Sequence, residues 1–160
     1  MLAVVAPVAV LAATKPPAGA LSIEGGNGVV VIRANGGLLG RVARGSVEIV
    51  DLTLGDGWRP TLNGSVRARR VAAKGANLTF RILGGEYRVV ARGEGISVSA
   101  RGTGIVTMVG VPNLVTGDTG IYSADLEADC QGAPEQCEPI PFTLTRVPFG
   151  KTENGSSSRP

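Results

Sequence analysis

Ala91-Arg92-Gly93-Glu94-Gly95-Ile96-Ser97-Val98-Ser99 is followed at once by Ala100-Arg101-Gly102-Thr103-Gly104-Ile105-Val106-Thr107-Met108, a nine-residue repeat. A shorter echo is Ala43-Arg44-Gly45-Ser46-Val47-Glu48-Ile49-Val50. The strand between the two glycine pairs alternates, with Ile96, Val98 and Ala100 of one parity and Ser97, Ser99 and Arg101 of the other. Successive side chains of a strand point to opposite faces, so this pattern predicts a strand with one apolar face. The glycine pairs Gly93/Gly95 and Gly102/Gly104 bracket one polar residue each, which predicts tight turns where φ is positive.

Outward from the repeat, the same punctuation continues. Short runs rich in Val, Ile and Leu predict strands at 28–34, 38–43, 47–52, 66–72, 78–83, 87–92, 96–101 and 105–109. Asn63-Gly64, between 58–62 and 66–72, is a type I′ hairpin signal. No window sustains a 3.6-residue apolar period, so no long helix is expected. Beyond Gly110 the pattern changes to loops, a short strand at 121–124, an acidic Cys-bounded loop at 125–139 and a return strand at 141–147. The expectation is an all-β domain, an antiparallel sandwich or barrel-like meander of about eight to ten short strands. The alternative is a short β-solenoid in which each repeat supplies part of a coil.

The N-terminus suggests a compartment. Leu2 to Ala13 form an apolar run interrupted by Pro7, and Ala18-Gly19-Ala20 is a small-x-small site of the kind signal peptidase cuts. That predicts a signal peptide at 1–20, a mature domain at 21–149, a disordered Gly/Ser tail at 150–160, and an extracellular or envelope location. No apolar run is long enough for a transmembrane helix. Cys130 and Cys137 flank a turn-rich hexapeptide, and in an oxidising compartment they are expected to form a disulfide.

Composition removes much chemistry. The 160 residues contain no histidine, hence no Ser-His or Cys-His dyad and no imidazole metal ligand. Each Gly pair of the repeat opens onto a strand, whereas a phosphate-cradling loop must open onto a helix, so no cofactor is expected. Asp125, Glu127 and Asp129 would share one side if extended, but the residues after them do not complete a calcium loop, and no metal site is assigned. The acids Glu24, Glu48, Asp51, Asp56, Glu86 and Glu94 show no pairing that would serve glycoside hydrolysis. An enzyme is not expected.

Charge is the remaining clue. Residues 1–117 carry 13 Lys and Arg against 6 acids, whereas residues 118–160 carry 3 against 7. Arg44, Arg92 and Arg101 each precede a glycine at the same place in the repeat, so stacked copies would set guanidinium groups in a ladder suited to phosphate or carboxylate polymers. Few aromatics are available for base stacking, which disfavours nucleic acid. The expected partner is an anionic envelope polymer or acidic glycan. Self-association through open strand edges is the structural alternative.

The run 28–45, Gly28-Val29-Val30-Val31-Ile32-Arg33-Ala34-Asn35-Gly36-Gly37-Leu38-Leu39-Gly40-Arg41-Val42-Ala43-Arg44-Gly45, together with the repeats at 91–108, resembles small secreted β-rich proteins of high-GC actinobacteria. The resemblance covers residues 21–124. It implies secretion and a β fold, and it supplies no activity and no site residues.

Overall fold

A computed structural model describes residues 19–150, so residues 1–18 of the predicted signal peptide and the tail from 151 onward lie outside the described residues. The described chain is nearly all strand: β1 (Gly19–Asp51), β2 (Thr61–Leu62), β3 (Ser65–Val66), β4 (Arg70–Ile82), β5 (Glu86–Gly110), β6 (Ile121–Ser123), β7 (Glu138–Pro139) and β8 (Thr145–Phe149). All pairings are antiparallel, in one sheet that does not close into a barrel.

Two strands dominate, and they overturn the expectation of short strands joined by glycine turns. β1 runs for 33 residues and β5 for 25, each passing straight through the glycines read as turns. β1 pairs with β5 in two registers. In one, Gly28 to Asp51 lies against Tyr87 to Gly110; in the other, Gly19 to Asn35 lies against Glu86 to Gly102. Gly102 therefore has Gly36 on one side and Gly19 on the other, and the two-stranded ribbon has wound once around between them. The fold is an antiparallel ribbon coiled on itself, which joins the pairing of a sandwich to the winding of a solenoid.

The winding needs sharp bends that do not break the ladder. These occur where glycines face each other across strands. Gly110 pairs with Gly28, Gly28 with Gly93, Gly93 with Gly45 and Gly45 with Gly75, forming one crease across the sheet. Gly19, Gly102 and Gly36 form the second. At Gly93 φ is +130°, and an added Cβ would lie 2.1 Å from the Arg44 carbonyl oxygen and 2.7 Å from the Gly45 Cα. Only glycine tolerates that backbone and that approach.

The creases divide the sheet into two layers around one core. The front layer comprises 145–149, 103–110, 28–35, 86–93, 45–51 and 70–74, in that spatial order. The back layer comprises 121–123, 19–24, 96–102, 36–44 and 76–82, then the β2–β3 hairpin. Alternation holds within each segment. Val30, Ile32, Ala34, Val47, Ile49, Tyr87, Val89, Val106 and Met108 fill the core from the front, and Leu21, Ile23, Leu38, Val42, Leu78, Phe80, Ile96, Val98 and Ala100 fill it from the back.

Other expectations need correction in detail. Asn63 and Gly64 have φ of +51° and +75° and join β2 to β3, so the hairpin forms, but residues 67–69 are not strand and β4 begins at Arg70. The last strand is 145–149 instead of 141–147. Asp125 to Ala128 close a turn through Ala128 N–H to the Asp125 carbonyl (3.0 Å), so Asp125, Glu127 and Asp129 do not line one side of an extended segment. Gly19 and Ala20, placed in the predicted signal peptide, are buried and paired with Gly102 and Arg101.

Cys130 and Cys137 form the expected disulfide, with Cα atoms 5.8 Å apart. It closes a loop around a 3₁₀ turn (Pro134–Gln136). The loop is held to the back layer, where Cys130 N–H donates to Ser22 Oγ at 2.8 Å. No helix among the described residues is long and apolar enough to cross a membrane.

Candidate functional site

Six cations stand on the outer side of the front layer. Register sets them in rows across the strands. One row is Pro148, Ile105, Arg33, Arg88, Val50 and Arg70; a second is Arg146, Thr107, Val31, Val90, Glu48 and Ala72. A third, beside the first crease, is Val109, Val29, Arg92, Ser46 and Lys74. Arg33, Arg70, Lys74, Arg88, Arg92 and Arg146 are all exposed there.

The carboxylates of this face are Glu48 and Glu86, and both are engaged. Arg33 donates from Nε (3.2 Å) and Nη2 (2.9 Å) to Glu86 Oε1, and Arg70 Nη2 donates to Glu48 Oε1 at 2.9 Å. No carboxylate lies within bridging distance of Arg88, Arg92, Lys74 or Arg146 among the described residues. Arg33 and Arg88 are direct cross-strand neighbours, with Cβ atoms about 4.5–5.5 Å apart, an arrangement in which like charges repel. The fold gains nothing from that repulsion. A bound anion between the guanidinium groups would relieve it.

Arg59 and Arg69 are occupied elsewhere. Their guanidinium nitrogens lie 3.6 and 3.7 Å from Asp51 Oδ2, and Arg69 Nη2 also donates to the carbonyls of Asp51 and Thr53. They fasten the 52–60 loop. The acidic residues of 125–138 stand over the back layer, away from the basic face.

The three repeat arginines do not form one file. Arg44 and Arg92 flank the same glycine pair, Gly45 and Gly93, but the strands run in opposite directions. Arg92 thus falls on the front layer opposite Ser46, whereas Arg44 lies past the crease opposite Glu94. Arg101 sits at the other crease, where its Nη1 donates to the Leu126 carbonyl at 2.9 Å and pins the acidic loop. Of the three, Arg92 belongs to the basic face and Arg44 borders it. Arg33, Arg70, Lys74, Arg88 and Arg146 were missed. The shared parity of Arg88 and Arg92 was the available signal; the others join only through register.

No family model, curated protein or solved structure matches the chain. The functional reading therefore rests on the geometry alone. That geometry has no histidine to act as base, and among the described residues no group of three or more Cys, Asp or Glu could hold a metal ion.

Proposed function

We propose that this chain is a non-catalytic binding domain, exported to the cell exterior or envelope, whose front layer holds anionic polymers such as envelope polymers or acidic glycans. One observation carries the reading: six exposed cations share a sheet face with two carboxylates, both already bridged. Planar guanidinium groups at strand spacing suit repeated phosphate or carboxylate groups. The disulfide and the apolar N-terminal run support export.

Self-assembly through strand edges is the competing reading, and the edges favour binding. β8 carries Pro148, β7 carries Pro139 and β3 is two residues long. The lower part of β4, paired with β1 on one side and open on the other, carries Arg70 and Lys74 and bends at Gly75 and Asn77. Proline, charge and bends are the devices that block edge pairing.

The test is charge reversal on one face against the other. Each close contact with an anionic group contributes about 1 kcal/mol in water, so losing two weakens binding roughly 30-fold. Arg88→Glu plus Arg92→Glu adds repulsion to that loss, so it should lower affinity for a soluble polyanion by at least that factor and flatten its salt dependence. Arg41→Glu plus Arg81→Glu, an equal change on the back layer, should do much less. Equal losses would reduce the face to net charge.

A further inference from the structure

The connection between β5 and β6 presents two aliphatic side chains to solvent. Leu114 and Val115 are 103% and 92% exposed. Val111, Phe142 and Leu144, nearer the root of the loop, are also exposed. The neighbours share the root of the loop: Gly110 N–H donates to the Pro141 carbonyl (2.7 Å) and Ile140 N–H to the Gly120 carbonyl (2.9 Å).

This tip is built, with its polar backbone turned inward. Asn113 N–H donates to the Asp118 carbonyl and Gly117 N–H to the Asn113 carbonyl, both at 2.8 Å. Asn113 Oδ1 accepts from Val115 N–H (2.8 Å) and Thr116 N–H (3.3 Å), and Asp118 N–H donates to Thr116 Oγ1 (3.3 Å). The loop thus satisfies most of its amide donors internally and aims its apolar side chains out. Such a tip can approach an apolar medium without leaving those amides unpaired.

The tip also adjoins the basic face. It leaves the front layer after Val109, whose row continues through Val29 to Arg92 and Lys74. Residues 111–115 line a cleft with Gly28, Gly93 and Glu94 along the first crease. The acids of this rim are Glu94, opposite Arg44 in the ladder, and Asp118.

We propose that this rim docks on an anionic lipid bilayer, with Leu114 and Val115 entering the interface and the front-layer cations meeting headgroup phosphates. An apolar insertion joined to basic attraction is the pairing of signals that holds proteins at anionic membranes. The inference rests on the polyanion-binding reading and adds the surface that presents the anion.

Sedimentation with phosphatidylglycerol–phosphatidylcholine vesicles, beside binding to soluble polyphosphate, separates the two. Leu114→Asp plus Val115→Asp should lose at least about tenfold in vesicle affinity and keep polyphosphate binding; both sites are exposed, so the fold is retained. Arg88→Glu plus Arg92→Glu should weaken both. If the tip variant binds vesicles as wild type does, or if wild type binds polyphosphate but no vesicles, the bilayer inference fails while the basic face stands. Tip-dependent self-association without lipid would also overturn it, by assigning the apolar pair to a second copy. Loss of polyphosphate binding by neither variant would sink the underlying reading instead.

Discussion

Replacing Gly93 by Ala tests the crease, on which the winding of the ribbon depends. Gly93 pairs with Gly28 on one side and Gly45 on the other. Its φ of +130° is foreign to an L side chain, and the new Cβ would meet the Arg44 carbonyl oxygen at 2.1 Å. Both obstacles are backbone, so no rotamer change relieves them. Backbone strain of about 1–3 kcal/mol and overpacking of about 1–3 kcal/mol together give a loss of roughly 2–6 kcal/mol. That is a large share of the ~5–15 kcal/mol that holds an ordinary domain. Two glycines serve as controls. Gly84→Ala meets nothing within 4 Å and has no positive φ, so it should be neutral. Gly64→Ala has φ of +75° in open space and should show the strain without the collision, about 1 kcal/mol. Urea unfolding followed by circular dichroism ranks the three. If Gly93→Ala falls within about 0.5 kcal/mol of Gly84→Ala, the crease is not held by the glycine pair and the reasoning fails.

Val98 is buried and Ser99, its neighbour, is exposed. Val98→Asp should therefore cost about 3–5 kcal/mol, whereas Ser99→Asp should cost under about 1 kcal/mol; similar melting temperatures would contradict the assigned facing. Reducing the Cys130–Cys137 disulfide should lower stability by about 2.5 kcal/mol in the loop-entropy model and leave the coiled ribbon folded, since the loop lies outside it. Loss of all strand signal on reduction would refute that. Burial pushes the Tyr87 phenol far above its ordinary range. The folded state then keeps a proton that the unfolded chain releases above pH about 10, so this contribution is intact below that pH. Above it, stability should fall by up to about 1.4 kcal/mol per pH unit. Tyr87→Phe should remove that slope, and an unchanged alkaline profile would rule Tyr87 out as its source.

What could be read from the sequence was local. The alternation around Ile96, Val98 and Ala100 identified the buried face, Asn63-Gly64 the hairpin, and the short spacing of Cys130 and Cys137 the disulfide. The creases were not legible, because a positive φ at Gly93 serves a turn and a bend in an unbroken strand equally well. What decides between them is that Gly93 faces Gly28 and Gly45, a fact of register between distant segments. The basic face was hidden for the same reason. Arg33 and Arg88 become neighbours only through the ladder, and the antiparallel direction sends the similar contexts of Arg44 and Arg92 to opposite sides of a crease.

The winding of β1 around β5 also sets a timetable for synthesis. Gly28 must wait for Gly110, and almost every pairing of β1 waits for chain made well after it. At roughly 5–20 residues per second, several seconds pass with a long apolar strand extended and unmatched. Such nonlocal pairing makes folding slow and leaves the nascent chain open to aggregation. The part of β1 from Leu38 to Val50 has a partner as soon as β4 is made, whereas Val29 to Asn35 is flanked on both sides only once β5 is complete to Val109.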